Sequence, residues 1–418
     1  MVTLRAPIAS QRLRQHGFGL IEVMIGLVIG LISVLVIYQV YTISEGFKRN
    51  TTAAGEAQQT GLFSAFLLGM ELGNAGAGIS AASQALVSCS DPGGAMPTRY
   101  AKSWRPLPVV VSDSGNASKP DNFVVSYSVT TTIASSGLSQ APGAALFTAS
   151  ALAGGDFQIA SPGGFHENDL VVGTVNPGSP VGATPCATSK ITAPPTLTND
   201  VQGDVTIKQT PVDPPGGIAF TGSQSTLLNM GPCDRVQKVM YSVALANDSS
   251  GNKSKWDYHP ACGPLTPCVL YSTPLLQTGN NCGLPADPFV GNPIAANIVN
   301  LKVQYGIDTD NDKARTLDTW VPASGAWAWD TLMQDATTVP VISQIKAVRI
   351  GIIVQSEQFD QTLGDYNWVM FDCGDVDKKN CPGRLTGTIA AQATPPGNWR
   401  YRKYETVIPL RNSIWNRF

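Results

Sequence analysis

The chain has 418 residues, of which only 14% are charged, with 41 glycines, 30 prolines and a net charge of −2. Removing residues 1–17, which carry Arg5, Arg12 and Arg14, lowers that charge to −5. No basic excess is left to hold a polyanion, which argues against nucleic-acid binding through phosphates. The composition suits a turn-rich β protein rather than a helical enzyme.

In chain order, a cationic stretch (residues 1–17) comes first, then a 24-residue apolar run, 18–41, whose only charge is Glu22. As a helix that run spans roughly 36 Å, enough to cross a bilayer. The positive-inside rule keeps the leader cytoplasmic and everything beyond about residue 45 outside. A cleavable secretory signal fits poorly, because the run exceeds an h-region of about 7–15 residues. A plain signal anchor explains the span but not Glu22, whose carboxylate costs roughly 2.5–3.5 kcal/mol in lipid. Cutting between Gly17 and Phe18 supplies a partner, since the new α-amine is mostly protonated at neutral pH. Glu22 then lies in the first turn of the mature helix, where the dipole favours an acid and a neighbouring chain's amine can pair with it. Gly26 and Gly30 form a GxxxG pair that allows close helix approach in lipid, although glycine is common in membrane helices anyway.

The helical pattern continues to about Leu72, and Asn74-Ala-Gly-Ala-Gly78 ends it. Leu62, Phe63, Phe66 and Met70 make an apolar stripe expected to pack on a globular domain. Gly46, Gly55, Gly61 and Gly69 are expected to bend or loosen the helix. Period-two alternation at 239–245, 301–307 and 348–354, with further candidates at 123–129 and 169–172, predicts antiparallel sheets with one buried and one wet face. Residues 131–165 and 210–232 read as loop-like insertions.

Eight cysteines, Cys89, Cys186, Cys233, Cys262, Cys268, Cys282, Cys373 and Cys381, all follow the apolar segment. Export then implies disulfides. Cys373 and Cys381 enclose the polar turn GDVDKKN and Cys262 and Cys268 enclose GPLTP, so each pair is a candidate bond, with Cys282 competing for the second. The pairing of Cys89, Cys186, Cys233 and Cys282 is not readable. His259, Cys262 and Cys268 superficially suggest a metal site, but disulfides are the preferred reading. Asp308, Asp310 and Asp312 have the first three spacings of a calcium loop. Lys313 stands where such a loop needs Gly and Thr319 where it needs Glu, so a solvated turn is preferred. Trp320, Trp327 and Trp329 are expected to pack in the core or at a sheet edge, with a binding surface as the sharper alternative. After processing only His166 and His259 remain, and no HExxH, GxSxG, Walker or GxGxxG motif occurs. No catalytic residue, cofactor or metal is therefore assigned.

Gly17-Phe18-Gly-Leu-Ile-Glu22 ahead of a long apolar helix resembles the class III signal of type IV pilins and type II secretion pseudopilins. The resemblance implies cleavage after Gly17 by prepilin peptidase, N-methylation of Phe18, and a helix buried in a filament core with Glu22 opposite a neighbour's amine. GLFSAFLLGMELGNAGAG, NIVNLKVQYGIDTDND, ISQIKAVRIGIIVQS and YRKYETVIPLRN resemble PilW-type minor pilins, the first without the usual arginines, while residues 80–230 match poorly. The expected architecture is an α+β, pilin-like one: a cleaved leader (1–17), a long helix (18–75, transmembrane over 18–41) and an exported antiparallel β domain (76–418). The expected function is structural. The chain would join other minor pilins and the major pilin in a priming or tip complex, made from the inner membrane by the pilus assembly machinery and serving motility, adhesion or DNA uptake. Its exported domain is periplasmic before assembly and at the cell surface after it. Two alternatives stand: a type II secretion pseudopilin, and a membrane-anchored hydrolase or binding protein that never assembles. An adhesive role for residues 80–230 is a third.

Overall fold

The computed structural model describes residues 19–77, 89–90, 107–128, 146–151, 156–159, 165–175, 184–199, 204–213, 225–232, 236–248, 256–275, 291–310, 317–334, 342, 344–374 and 381–414. They form two compact units, divided between Ala53 and Ala54. One helix, α1 (Leu20–Asn74), is unbroken along its 55 residues. It contains no proline, and the expected weak points at Gly46, Gly55, Gly61 and Gly69 do not interrupt it. Gly76 stops it by adopting φ +77°, the left-handed conformation that ends helices and that a side chain disfavours.

Twenty strands follow among the described residues. The first three are β1 (Cys89–Ser90), β2 (Val109–Ser112) and β3 (Asn122–Ser128). Next come β4 (Leu146–Ala151), β5 (Phe157–Ile159), β6 (Asp169–Val175), β7 (Thr184–Ile191), β8 (Thr196–Asn199), β9 (Asp204–Ile207), β10 (Gln209–Asp213) and β11 (Ser225–Pro232). The rest are β12 (Val236–Leu245), β13 (Cys268–Pro274), β14 (Asn292–Ile307), β15 (Thr319–Pro322), β16 (Ile345–Asp360), β17 (Tyr366–Met370), β18 (Leu385–Ile389), β19 (Gln392–Ala393) and β20 (Pro396–Pro409). The main sheet is antiparallel in the order β19-β20-β16-β14-β13-β12-β3-β2, with β15 added to β14. An apolar N-terminal helix packed, from Ala54 onward, on a large antiparallel sheet makes the α+β, pilin-like class expected from the sequence.

The helix face that meets the sheet is not the expected one. Ala57, Gly61, Ser64, Leu68, Leu72 and Ala75 are buried, at the i, i+3 and i+4 spacing of one helical face. Leu62, Phe63, Phe66 and Met70 point outward and are 50–70% exposed. The reason is room. A Cβ on Gly61 would stand 1.9 Å from Cε2 of Tyr404, and the Tyr404 hydroxyl donates to Gln58 O at 3.2 Å. Only small residues let the β20 aromatic lie on the helix backbone, so the bulky residues are left on the opposite side.

The strands of the sheet also differ from expectation in having no wet face at their centre. The inner face of β14 and β16 (Leu301, Val303, Tyr305, Val348, Ile350, Ile352) joins the main core. Their outer face carries Lys302, Gln304, Arg349 and Gln355, all buried. The β17–β18 hairpin covers part of it, with Trp368, Met370 and Phe371 packed on Val299, Ile353 and Tyr401. The polar residues of the alternation are thus inside, held by partners described below.

Two stretches expected as loops contain strands: β4 and β5 within 131–165, and β10 and β11 within 210–232. Residues 131–145, 152–155, 160–164 and 214–224 lie outside the described residues. The hairpin β7–β8/β9–β10 pairs with β6 along one side and β5 along the other. β5 pairs with β4, β4 with β11, and β11 with β6, all antiparallel. Six strand positions therefore close into a ring around Phe157, Ile159, Phe165, Val171, Ile191, Val205, Ile207 and Leu227. Since β3 and β12 are direct partners from Tyr241↔Phe123 to Val236↔Ser128, this barrel is an insertion in their hairpin.

The packing at Gly61 is testable by thermal unfolding of the full chain in detergent. Gly61→Leu, which has no space under Tyr404, lowers stability by about 1–3 kcal/mol, and Tyr404→Ala in the same chain recovers part of the loss. Leu62→Ala, on the open face, changes stability by no more than about 0.5 kcal/mol.

Candidate functional site

In the N-terminal unit, Glu22 is the third residue of α1 and the acid of its first turn, with its N–H donating to Gly19 O at 2.9 Å. The large side chains from Leu20 to Ile43 are 51–79% exposed, and an 18-residue window has a mean hydropathy of 2.8. Its hydroxyls turn inward: Ser33 donates to Ile29 O and Thr42 to Gln39 O, at 2.8 and 2.9 Å. Nothing lies within 4 Å of a Cβ placed on Gly26 or Gly30, so both are open to a second helix. Gly17 and Phe18 lie outside the described residues.

Within the second unit, the outward face of the helix borders two grooves. One, of about 770 Å³, runs between Gln58, Leu62, Phe63 and Phe66 and the strand segment Ile294–Ala296. The other, of about 600 Å³, runs between Phe66, Met70 and Gly73 and Thr406–Pro409. Phe66, 70% exposed, is the ridge between them. An apolar ridge flanked by troughs is a shape for receiving another helix.

On the outer face of the sheet, the ammonium of Lys302 is enclosed by oxygens of the 113–121 loop. Its three N–H groups are shared among four acceptors within hydrogen-bond distance, Asp121 Oδ1, Ser114 Oγ (3.0 Å) and the carbonyls of Asn116 and Lys119 (3.2 Å each), with Asp113 Oδ1 at 3.6 Å. Asp121 also accepts from Ser114 N and Val303 N, both at 3.0 Å. Burial pushes its pKa up to about 6 against the pull of Lys302, which leaves the Asp121 carboxylate mostly ionised at neutral pH. Beside it, His259 Nδ1 donates to Pro120 O at 2.8 Å, which leaves Nε2 to accept from Ser112 Oγ at 3.2 Å. Ser112 is only 2% exposed, so this pair ties loops together and offers no open nucleophile. Burial, and then Lys302, hold the His259 pKa below its ordinary value. Arg349 lies between the rings of Trp320 and Phe371, 4.7 and 4.3 Å from their centroids, and donates to Gln304 Oε1 and Pro382 O. Sequence patterning missed these contacts; their one trace is a cation at an outward position of each strand.

The remaining candidates take definite places. Cys262–Cys268 and Cys373–Cys381 are disulfides, the first closing a turn in which Gly263 and Thr266 exchange backbone hydrogen bonds. Cys89 sits in β1 beside Thr184, in the strand that carries Cys186, and Cys233 and Cys282 lie outside the described residues. Asp308 is buried rather than solvated, and its carboxylate gathers with those of Asp310 and Asp318 within 4.8 Å. Asp312 is outside the described residues. Asp318 already accepts from Thr309 N and Oγ1, and Lys346 stands 3.9 Å from Asp308. Trp327 and Trp329 pack on the core, Trp329 edge-on to Trp256. His166 is exposed in a turn.

Comparison with known families adds two matches. Residues 272–412 match the model of the type IV pilus-assembly protein W family, and residues 12–38 match the prokaryotic N-terminal methylation motif. The first runs from within β13 to just past β20 and takes in Lys302 and the Arg349 contacts but not the 113–121 loop around Lys302; the second spans Gly17, Phe18 and Glu22. No curated protein and no solved structure matches the chain.

Two measurements test the buried cluster in the full chain. Lys302→Met strands Asp121 without its cation and costs about 3–5 kcal/mol, whereas Lys119→Met, at an exposed side chain, costs about 0.5 kcal/mol or less. His259 has a depressed folded pKa, so its contribution is complete above its ordinary value of 6.5 and is lost as pH falls through the folded value. The stability advantage of the native chain over His259→Gln therefore shrinks below pH 6.5, a comparison in which the opposite trend of Asp121 cancels.

Proposed function

We propose that this PilW-type minor pilin is a structural subunit of a type IV pilus priming or tip complex. The observation that carries the reading is the helix: it is apolar and exposed on all sides from Leu20 to Ile43, with one acid in its first turn. A lone soluble or merely anchored domain has no use for that acid, and a fibre does. Cleavage after Gly17 frees the Phe18 amine, whose N-methylation keeps it cationic, and the Glu22 of an adjacent subunit pairs with it in lipid. Gly26 and Gly30 let neighbouring helices approach. Farther along, the Leu62–Phe66–Met70 face receives a neighbouring helix once the subunits leave the bilayer.

In this reading the leader is cytoplasmic, the anchor is residues 18–41 in the inner membrane, and residues 76–418 are periplasmic until assembly. Prepilin peptidase, the other minor pilins, the major pilin and the inner-membrane assembly machinery are the partners. The pilus-assembly match favours this over a secretion pseudopilin. The work is done by binding surfaces, with no catalytic step assigned.

Mass spectrometry of the purified chain gives an N-terminus of methylated Phe18; a chain that retains Met1 contradicts the reading. Glu22→Ala is processed normally, yet the number of pili per cell falls at least about tenfold, equivalent to a loss of about 1.4 kcal/mol or more per productive contact. Unchanged pilus number removes Glu22 from assembly.

A further inference from the structure

We propose that the inserted barrel is a terminal cap: assembly does not need it, and it bars any subunit from lying beyond it. This rests on the pilin reading and narrows its priming or tip complex to the terminal position, with a part of the fold that enforces it. Residues 129–235 leave and re-enter the main sheet at adjacent points, because Ser128 and Val236 are paired. A two-residue turn could close the hairpin there without them. That root lies at the far end of the helix. Ser128 N donates to Ala77 O at 2.7 Å and Gly76 N to Ser126 O at 2.9 Å, three and two residues past the last helical residue, Asn74. Asn74 lies roughly 30 Å of helix past Ala54, the first residue of this unit.

Among the described residues the barrel is built largely apart from the main sheet, which it meets through the Ser128 hydroxyl on Met230 O. Its strands belong to a separate sheet, and its eight core residues form their own cluster. Both family matches leave it out. Six strands about 4.8 Å apart and tilted about 40° close a ring roughly 12 Å across its backbone, and side chains widen it further. In a fibre fed from the bilayer, every subunit except the first has an older one beyond the distal end of its helix. A barrel rooted there occupies that space. The chain therefore sits at the leading end, one copy per fibre, with a surface rich in Thr, Ser and Gly and poor in charge facing outward.

The test uses the full chain with a C-terminal epitope, and the same chain with Asn-Gly in place of residues 129–235, each expressed in cells lacking the untagged copy. Gold-labelled antibody is counted on sheared fibres by electron microscopy. The full chain is expected at one end of each fibre, and the shortened chain along the shaft with at least about threefold more gold per fibre. Full-length chain scattered along the shaft overturns the cap, as does a shortened chain that stays single and terminal. If the shortened chain is degraded, the full-length pattern still decides. If neither chain enters fibres, the pilin reading itself fails, which is a different result from a misplaced cap.

Discussion

The close seat of the sheet on the helix at Gly61 organises the rest of the second unit. Where Tyr404 lies against bare backbone, β20 approaches the helix, and β16 and β14 follow it in register. Leu68, Leu72 and Ala75 then enter the main core with Val124, Leu301 and Ile408. One consequence is fixed by geometry. A helix has one circumference, and giving the sheet its small-residue side turns Leu62, Phe63, Phe66 and Met70 outward. The apolar surface left over after folding lies beside two grooves, where a second helix can use it.

The outer face obeys a different rule. Lys302 and Arg349 are buried on strands that a simple alternation would turn toward water, and each is surrounded by acceptors drawn from distant segments. Lys302 is fixed by a loop some 180 residues earlier in the chain, and Arg349 by Pro382 O beside the second disulfide. Such a cluster contributes little net energy compared with apolar packing, since desolvating the charges offsets most of their attraction. It does penalise misplacement, because a shifted 113–121 loop would leave an ammonium and two carboxylates unmatched.

How much of this could be read in the sequence follows from the range of each interaction. The leader, the apolar helix and the alternating strands at 239–245, 301–307 and 348–354 are local patterns, and the fold class came from them. The inward side of the helix was misread because hydrophobicity was used where clearance decides, and only Tyr404, more than 340 residues away, reveals the clearance. The wet face was misread because alternation says which residues share a side and not what covers that side. The barrel escaped because its strands are short, three to eight residues, and rich in Thr, Ser and Gly. Its closure depends on the hairpin of residues 184–213, whose β9–β10 arm pairs with β8 and β7 on one edge while β9 pairs with β5 on the other. No window of sequence contains both pairings. Gly17, Phe18 and Glu22 stood out for the opposite reason, since their chemistry lies within six consecutive residues.

Taken as a proposed pilin, the chain separates two kinds of contact along one helix. In lipid, apolar surface provides no drive for association, because acyl chains solvate it as well as another helix does. Specificity there must come from something lipid cannot replace, and the pairing of Glu22 with an amine is such an interaction. Beyond the bilayer the balance reverses. Fully burying a Leu, Phe or Met side chain is worth roughly 1.5–3 kcal/mol in water, and the four on the open face are already about half covered, so their joint burial still supplies several kcal/mol. In the proposed fibre the charge pair would therefore select the register while the subunit is membrane-bound, and the outward apolar face would hold it once the subunit is extracted. A subunit in the membrane is thus soluble in lipid at one end and incomplete in water at the other, and a fibre is the arrangement in which both ends are satisfied.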